Sequence, residues 1–215
     1  MEFILSFIDL VLHLDKHLPV LIAEYGTWIY LALFLVIFCE TGLIVTPFLP
    51  GDSLLFVTGA IAATGAMDVQ WLLVLLASAS FLGDNTNYWV GRLAGPKIFK
   101  SRTSRLLNPA YLEKTHQFYE KHGGKAIFLA RFFPIIRTFA PFVAGMGNMH
   151  YRKFVLFSLS GSLAWVGAFV LGGYFFGNIP VIQENLTLVM LAIILLSIAP
   201  GIIGFFKSRE RESRD

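Results

Sequence analysis

The sequence predicts an all-α integral membrane protein, and three observations lead to that class. Of the 215 residues, 56% are hydrophobic and only 14% are charged, whereas soluble domains contain about 25% charged residues. The mean hydropathy is +0.67. Uncharged apolar stretches of about 20 residues, the length that a helix needs to cross a bilayer, recur along the chain. This composition excludes a disordered chain, a nucleic-acid-binding module and an ordinary soluble enzyme.

About four of the apolar stretches are predicted to be transmembrane helices. Each has close to the required length and carries few or no charged side chains. They are residues 27–45, 71–93, 154–176 and 186–206.

Two further apolar stretches, residues 46–64 and 126–149, are interrupted by helix-breaking residues. Proline removes a backbone donor and clashes with the preceding turn. Broken backbone at membrane depth is tolerated only where protein or a water-filled cavity covers it. We therefore interpret both stretches as re-entrant hairpins that enter the membrane from opposite sides. The predicted breaks are Pro47, Pro50 and Gly51 in the first hairpin, and Pro134 and Pro141 in the second.

The positive charges are clustered and predict the topology. Seven of the 17 Lys and Arg residues fall between Lys97 and Lys125, four fall in the tail 207–215, and none lies between Lys16 and Arg92. Loops rich in Lys and Arg stay on the cytoplasmic side of a membrane. The amphipathic loop 96–125 and the C-terminal tail are therefore predicted to be cytoplasmic. A basic run can also bind nucleic acid, but the flanking apolar spans favour retention beside anionic lipids.

Outside the spans, two amphipathic helices are predicted. Residues 1–24 are apolar but interrupted by charges, and they lack the basic start and cleavage site of a signal peptide, so we expect an interfacial helix. In the cytoplasmic loop, Asn108 is a helix cap and Gly123 a helix stop. Residues 25–206 then form one membrane domain.

Five charged residues lie in apolar segments. A charge there costs about 2.5–3.5 kcal/mol, so such residues are functional candidates. Glu40 lies in the helix before the first hairpin, and Asp52 lies in the first hairpin. Arg131 and Arg137 lie in the second hairpin. The fifth, Asp84, lies in a polar belt with Asn85, Asn87 and Tyr88.

Two interpretations of these charges stay open. In one, the fork-shaped guanidinium groups of Arg131 and Arg137 bind a lipid phosphate, while Glu40 and Asp52 carry protons. In the other, Glu40–Arg131 and Asp52–Arg137 are static ion pairs that hold the hairpins together. Asp84 is either a proton relay or a cap for hairpin backbone.

Six motifs, in order over residues 25–177, together resemble the DedA family of the VTT-domain superfamily. Each motif is weak by itself, but the ordered set is specific. They are Glu40; Pro47-Phe-Leu-Pro-Gly-Asp52; Gly83-Asp84-x-x-x-Tyr88-x-x-Gly91-Arg92; Phe118-Tyr119-x-Lys121-His122-Gly123-Gly124; Arg131-Phe-x-Pro-x-x-Arg137-Thr-x-Ala-Pro-x-x-Ala-Gly145-x-Gly147; and Gly173-Tyr-x-x-Gly177.

The resemblance implies a multi-pass protein of the bacterial inner membrane. It further implies a flippase that returns undecaprenyl phosphate, or a related anionic phospholipid, to the cytoplasmic leaflet in dependence on the proton-motive force. The family's functional acids and arginines map onto Glu40, Asp52, Arg131 and Arg137. The expected partners are membrane lipids and protons, with no nucleic acid and no cofactor.

Rival functions remain as alternatives. Glu40 and Asp52 can also serve a proton-coupled antiporter of small cations or drugs, although the arginine pair favours an anionic substrate. A membrane enzyme acting on lipid phosphates is disfavoured because the motifs of lipid phosphatases and alcohol phosphotransferases are absent from the sequence. The dispersed histidines have no metal-ligand spacing, so no metal is expected. Gly91-x-x-x-Gly95 and Gly173-x-x-x-Gly177 serve either internal packing or a homodimer.

The charge distribution generates a topology prediction that single-cysteine labelling with a membrane-impermeant reagent can check, in a Cys39→Ser background. Labelling of position 152 from outside would contradict the second hairpin, because a full span there would move Arg152 outside. The expected result is external labelling of cysteines replacing Met67 and Gln183, and protection of those replacing Arg105, Arg152 and Lys207.

Overall fold

A computed structural model describes residues 14–43, 51–98 and 123–177, with a few isolated positions between 179 and 192. The described residues contain α-helices and no strand, as the sequence predicts. The helices are α1 (Leu14–Tyr25), α2 (Trp28–Gly42), α3 (Gly51–Ala63), α4 (Val69–Ile98), α5 (Lys125–Ala130), α6 (Pro134–Met146) and α7 (Tyr151–Phe176).

Three helices coincide with predicted spans: α2 lies within residues 27–45, α4 contains residues 71–93, and α7 contains residues 154–176. Among the described helices, α7 alone is long and apolar enough by itself to cross a membrane, with 26 residues and a mean hydropathy of 2.0 in its apolar window. α4 has 30 residues and, at about 1.5 Å per residue, extends for about 45 Å. The predicted span 186–206 lies outside the described residues, apart from isolated positions.

The described residues form two compact units that share three helices. The first contains α1, α2 up to Val36, α3, α4 up to Leu76 and α7 from Trp165 onward. The second contains the remainder of α2 and α4, together with α5, α6 and α7 up to Ala164.

In the first unit, α3 packs against the C-terminal half of α7 through glycines on both helices. A Cβ atom on Gly59 would overlap the carbonyl of Val170, and one on Gly173 would overlap the carbonyl of Phe56. Gly177 similarly faces Ala60. Small residues allow two helix backbones to approach this closely. The Gly173-x-x-x-Gly177 motif therefore serves internal packing.

The second unit repeats this arrangement between α6 and α4. A Cβ atom on Gly91 would overlap the carbonyl of Phe142, and one on Gly145 would overlap the carbonyl of Tyr88. The ring of Tyr88 stacks on Phe154, with ring centroids 4.4 Å apart. In each unit, the helix of a predicted hairpin thus crosses a long helix at a pair of glycines.

The second predicted hairpin turns at Pro134 but not at Pro141. α5 ends at Ala130, Phe133 is extended, and α6 begins at Pro134, where a missing N–H costs no helical hydrogen bond. Pro141 lies inside α6, which continues to Met146, so the prediction of a break there is corrected. Although Pro141 cannot donate to the carbonyl of Arg137, membrane helices tolerate internal proline when neighbouring groups compensate.

The other boundaries agree in part with the sequence predictions. Gly51 is the first residue of α3 rather than an interruption within a helix, whereas Pro47 and Pro50 lie outside the described residues. α1 covers the second half of the predicted helix 1–24. Gly123 has a φ of 58°, the left-handed conformation of a helix stop, but the predicted helix before it lies outside the described residues, as does the tail 207–215. The re-entrant insertion of both hairpins stays a prediction.

The glycine crossings lead to a stability prediction. Gly173→Ala is expected to destabilise the protein by about 1–3 kcal/mol, because its methyl group meets backbone atoms that cannot move aside. Thermal unfolding of the purified protein in detergent measures this. Gly167→Ala in the same helix is the matched control. Apart from the adjacent backbone of its own helix, no atom of the described residues lies within 4 Å of its added Cβ, so this variant should be neutral or stabilising by up to about 1 kcal/mol. Equal stability of the two variants would contradict the close crossing.

Candidate functional site

All five charged residues that the sequence analysis selected are buried. The exposed fraction is 0% for Glu40, 1% for Asp84, 4% for Arg131, 7% for Arg137 and 8% for Asp52. No other charged side chain in the described part of the chain is buried to this degree. Buried charges are costly unless they are paired and hydrogen-bonded. The positions of their partners therefore define the candidate site.

Arg131 lies in the break between α5 and α6, and its guanidinium reaches α4. Nη1 donates to Oδ2 of Asp84, and Nη2 donates to the hydroxyl of Ser80, one helical turn earlier. The hydroxyl of Ser158, on α7, donates to the same Asp84 oxygen at 2.6 Å. Two other elements, the break before α6 and helix α7, thus converge on the carboxylate of Asp84 on α4.

Arg137 lies in the first turns of α6, and its Nη2 donates to Oε1 of Glu40, near the C-terminal end of α2. The described ion pairs are therefore Arg131–Asp84 and Arg137–Glu40. The structural alternative predicted from the sequence pairs Glu40 with Arg131 and Asp52 with Arg137. Asp84, predicted to be a separate proton relay or a cap for hairpin backbone, is the carboxylate that the structure describes beside Arg131.

The two ion pairs form one electrostatic cluster in the second unit. The charge of Arg137 acts on Asp84 as well as that of Arg131. Two guanidinium groups and two carboxylates have formal charges that sum to zero. We call Glu40, Asp84, Arg131 and Arg137 the charge cluster.

Asn87 positions the helix ends that carry part of the charge cluster. Its Nδ2 donates to the carbonyl of Thr41 at 3.0 Å and to the carbonyl of Thr138 at 2.8 Å. Thr41 follows Glu40 and Thr138 follows Arg137 in the chain. The carbonyl of Thr41 is one of the four that the end of α2 cannot bond within the helix. Asn87 thus joins α2 to α6 directly beside the Glu40–Arg137 pair.

Asp52 belongs to the first unit, at the second position of α3. Its Oδ1 accepts a hydrogen bond of 2.9 Å from Nε1 of Trp165. Trp165 is 1% exposed, so it belongs to the core and not to an interfacial belt. A carboxylate in the first turn of a helix is also favoured by the helix dipole.

Several of these partners have no signature in the sequence. Ser80 and Ser158 occur among apolar residues that suit any transmembrane helix, and Trp165 resembles an interfacial or core tryptophan. Asn87 is visible as part of the polar belt, but its role as a bridge depends on two carbonyls distant in the chain. Only the spacing of Ser80 and Asp84, one helical turn apart on the same face, is a usable signal.

Other ligand chemistry has little support in the described part of the chain. No group of three or more His, Cys, Asp or Glu side chains there has the arrangement of a metal site. A cavity of about 310 Å³ in the first unit is lined by residues such as Tyr30, Met67 and Asp68, and by none of the five buried charges. Asp68 accepts hydrogen bonds from the backbone N–H groups of Gln70 and Trp71, as a helix cap does.

Comparison with known proteins identifies the family. Residues 49–175 match the VTT domain. The chain is 54% identical to Protein DedA of Escherichia coli strain K12 over 216 aligned residues, which cover all of this chain and 99% of that protein. The chain belongs to the DedA family.

Less similar relatives of the chain are membrane proteins by name. An uncharacterized membrane protein of Mycobacterium leprae is 40% identical over 85% of this chain and 82% of its own length. The inner membrane protein YqjA of E. coli K12 is 32% identical over 82% of this chain and 80% of its own length. No solved structure gives a significant match to the chain. The chain is thus a membrane protein of the DedA family.

The bridge made by Asn87 leads to a stability prediction. Asn87→Ala should destabilise the protein by about 1–3 kcal/mol, because two buried carbonyls lose a donor. Asn85→Ala is the matched control. Asn85 is on the same helix and also makes two hydrogen bonds, but its side chain is only partly buried, so its loss should cost less than about 1 kcal/mol. Thermal unfolding in detergent measures both, and an unchanged midpoint for Asn87→Ala would show that the bridge is dispensable.

Proposed function

We propose that this DedA-family protein is a lipid flippase of the bacterial inner membrane. Its substrate is undecaprenyl phosphate or a related anionic phospholipid, which it returns to the cytoplasmic leaflet with the help of the proton-motive force. The observation that carries the proposal is the burial of two arginines, Arg131 and Arg137, around a break between helices in an otherwise apolar segment. The family relationship supports a membrane function of this kind.

The chemistry of arginine suits a lipid phosphate. A guanidinium presents several N–H donors in one plane and binds two phosphate oxygens at once, which an ammonium cannot do. Two guanidinium groups compensate the charge of a headgroup that must leave water. Arg131 and Arg137 flank the turn at Pro134, and both side chains reach carboxylates of neighbouring helices. A bound phosphate would take the place of those carboxylates.

Protons supply the driving force in this proposal. Moving a negative headgroup inward against an inside-negative potential costs about 2.3 kcal/mol per charge per 100 mV. A proton that moves inward with the headgroup cancels one negative charge and so removes this electrical cost. Glu40 and Asp52 are buried carboxylates suited to carry it, and they are the proposed proton-coupling residues together with Asp84.

The rival functions fit the charge cluster less well. In an antiporter of small cations or drugs, a cation would have to displace Arg137 from Glu40 in a site that already contains two arginines. An enzyme acting on lipid phosphates would need a nucleophile or a metal at the cluster. The hydroxyls of Ser80 and Ser158 are instead hydrogen-bonded to the charged side chains.

A transport measurement with an arginine variant tests the proposal. Purified protein in liposomes with labelled polyprenyl phosphate should move the lipid between leaflets without hydrolysing it. Arg137→Lys should reduce headgroup binding at least about tenfold, since the two-pronged contact to phosphate is lost while the charge is kept. We expect little effect from Arg152→Lys, the matched control, because Arg152 is exposed.

The possible results separate the functions. Lipid movement that requires Arg137 supports the flippase, and hydrolysis of the lipid supports an enzyme. If neither movement nor hydrolysis is observed, the antiporter is the remaining candidate. Wild-type lipid affinity in a folded Arg137→Lys protein would show that Arg137 is only the structural partner of Glu40, and the phosphate site would then be wrong.

A further inference from the structure

The charge cluster is electrically balanced before any lipid binds, and this balance limits how a lipid can bind. Arg131 is paired with Asp84, and Arg137 is paired with Glu40. The described charged groups that act on Asp84 are these same two arginines, one from the break before α6 and one from α6 itself. Removing one member of a buried ion pair leaves an uncompensated charge, which is strongly unfavourable. An incoming phosphate therefore cannot simply be added to the cluster.

We propose that Asp84 and Glu40 exchange with the lipid phosphate on the two arginines, and that each displaced carboxylate leaves its arginine as a neutral acid. This inference rests on the proposed flippase function and specifies how many protons bind with each lipid. A headgroup with charge −n binds together with n protons taken from the aqueous phase. The guanidinium groups remain charged throughout, and the net charge of the cluster stays at zero.

The surroundings of Asp84 can accommodate both of its protonation states. In the described state, the Ser158 hydroxyl donates to the Asp84 oxygen that also accepts from Arg131. A hydroxyl can rotate and become an acceptor, so Ser158 can accept a hydrogen bond from a protonated Asp84. The buried polar groups then stay satisfied after Arg131 has moved to the phosphate.

The cluster also selects a class of headgroup. A phosphate monoester carries close to two negative charges above its second pKa, which is about 6, whereas a phosphodiester carries one. The monoester dianion can displace both carboxylates and engage both arginines with the charges balanced. A diester can displace only one. Charge balance in this exchange therefore favours lipid phosphate monoesters as substrates, with about two protons per lipid, against about one for a diester.

Isothermal titration calorimetry counts the protons directly. The full-length protein in detergent is titrated with a short-chain polyprenyl phosphate and with its methyl diester, at about pH 8, where the free monoester is already a dianion. Repeating each titration in buffers of different ionisation enthalpy gives the protons taken up. The wild type should take up about two with the monoester and about one with the diester. This comparison needs no variant and so does not depend on the folding of one.

Two variants then assign the protons. Asp84→Asn should take up about one proton fewer with the monoester, because one exchanging carboxylate is missing. Asp68→Asn is the matched control, since Asp68 is an exposed helix cap on the same helix and asparagine also caps helices well. It should keep the wild-type count.

The outcomes distinguish this inference from the proposed function. Tight monoester binding without proton uptake, equal uptake for both esters, or an unchanged count in a folded Asp84→Asn protein would overturn the exchange while leaving the phosphate site in place. Failure of the wild type to bind either ester would overturn both.

Discussion

The need to pair buried charges is the constraint on which the candidate site depends. Arg131 and Arg137 are nearly inaccessible to water, and an isolated charge in such surroundings would be prohibitively unfavourable. Each arginine is therefore held by a carboxylate on another helix, Asp84 on α4 and Glu40 on α2. Buried ion pairs contribute little net stability compared with apolar packing. Their presence in a chain with only 14% charged residues is consistent with the proposed function, which uses the charges.

Glycines in each unit allow two helix backbones to approach closely. In the second unit, Gly91 and Gly145 have no side chains to hold α4 and α6 apart. Asn87 then ties α4 to α2 and α6 by two hydrogen bonds beside the Glu40–Arg137 pair. The first unit has a corresponding crossing at Gly59 and Gly173. Such close packing covers the backbone at a helix interruption, which the predicted re-entrant hairpins need because exposed backbone groups inside a membrane have no water to bond.

The sequence predicted which residues are buried charges or helix breaks better than it predicted which residues contact one another. The helical class, the five buried charges and the turn at Pro134 follow from residue type and local pattern alone. Pro141 shows where local pattern fails: proline predicts a break, but α6 continues through it because the helix around it is held by tertiary packing. Ser80, Ser158 and Trp165 became significant only through what they contact. Their residue types are common in membrane helices and identify no role.

The sequence by itself determined that this chain is a helical membrane protein with charges where charges are costly, because apolar composition and the cost of burial depend only on residue type. Only the tertiary structure decided which charges meet. Arg131 and Asp84 are 47 residues apart in the chain, and Arg137 and Glu40 are 97 apart. No local periodicity relates such positions. Their pairing is set by which helix faces pack together. That packing depends on the glycine contacts between α4 and α6 and on the hydrogen bonds from Asn87 to carbonyls of α2 and α6.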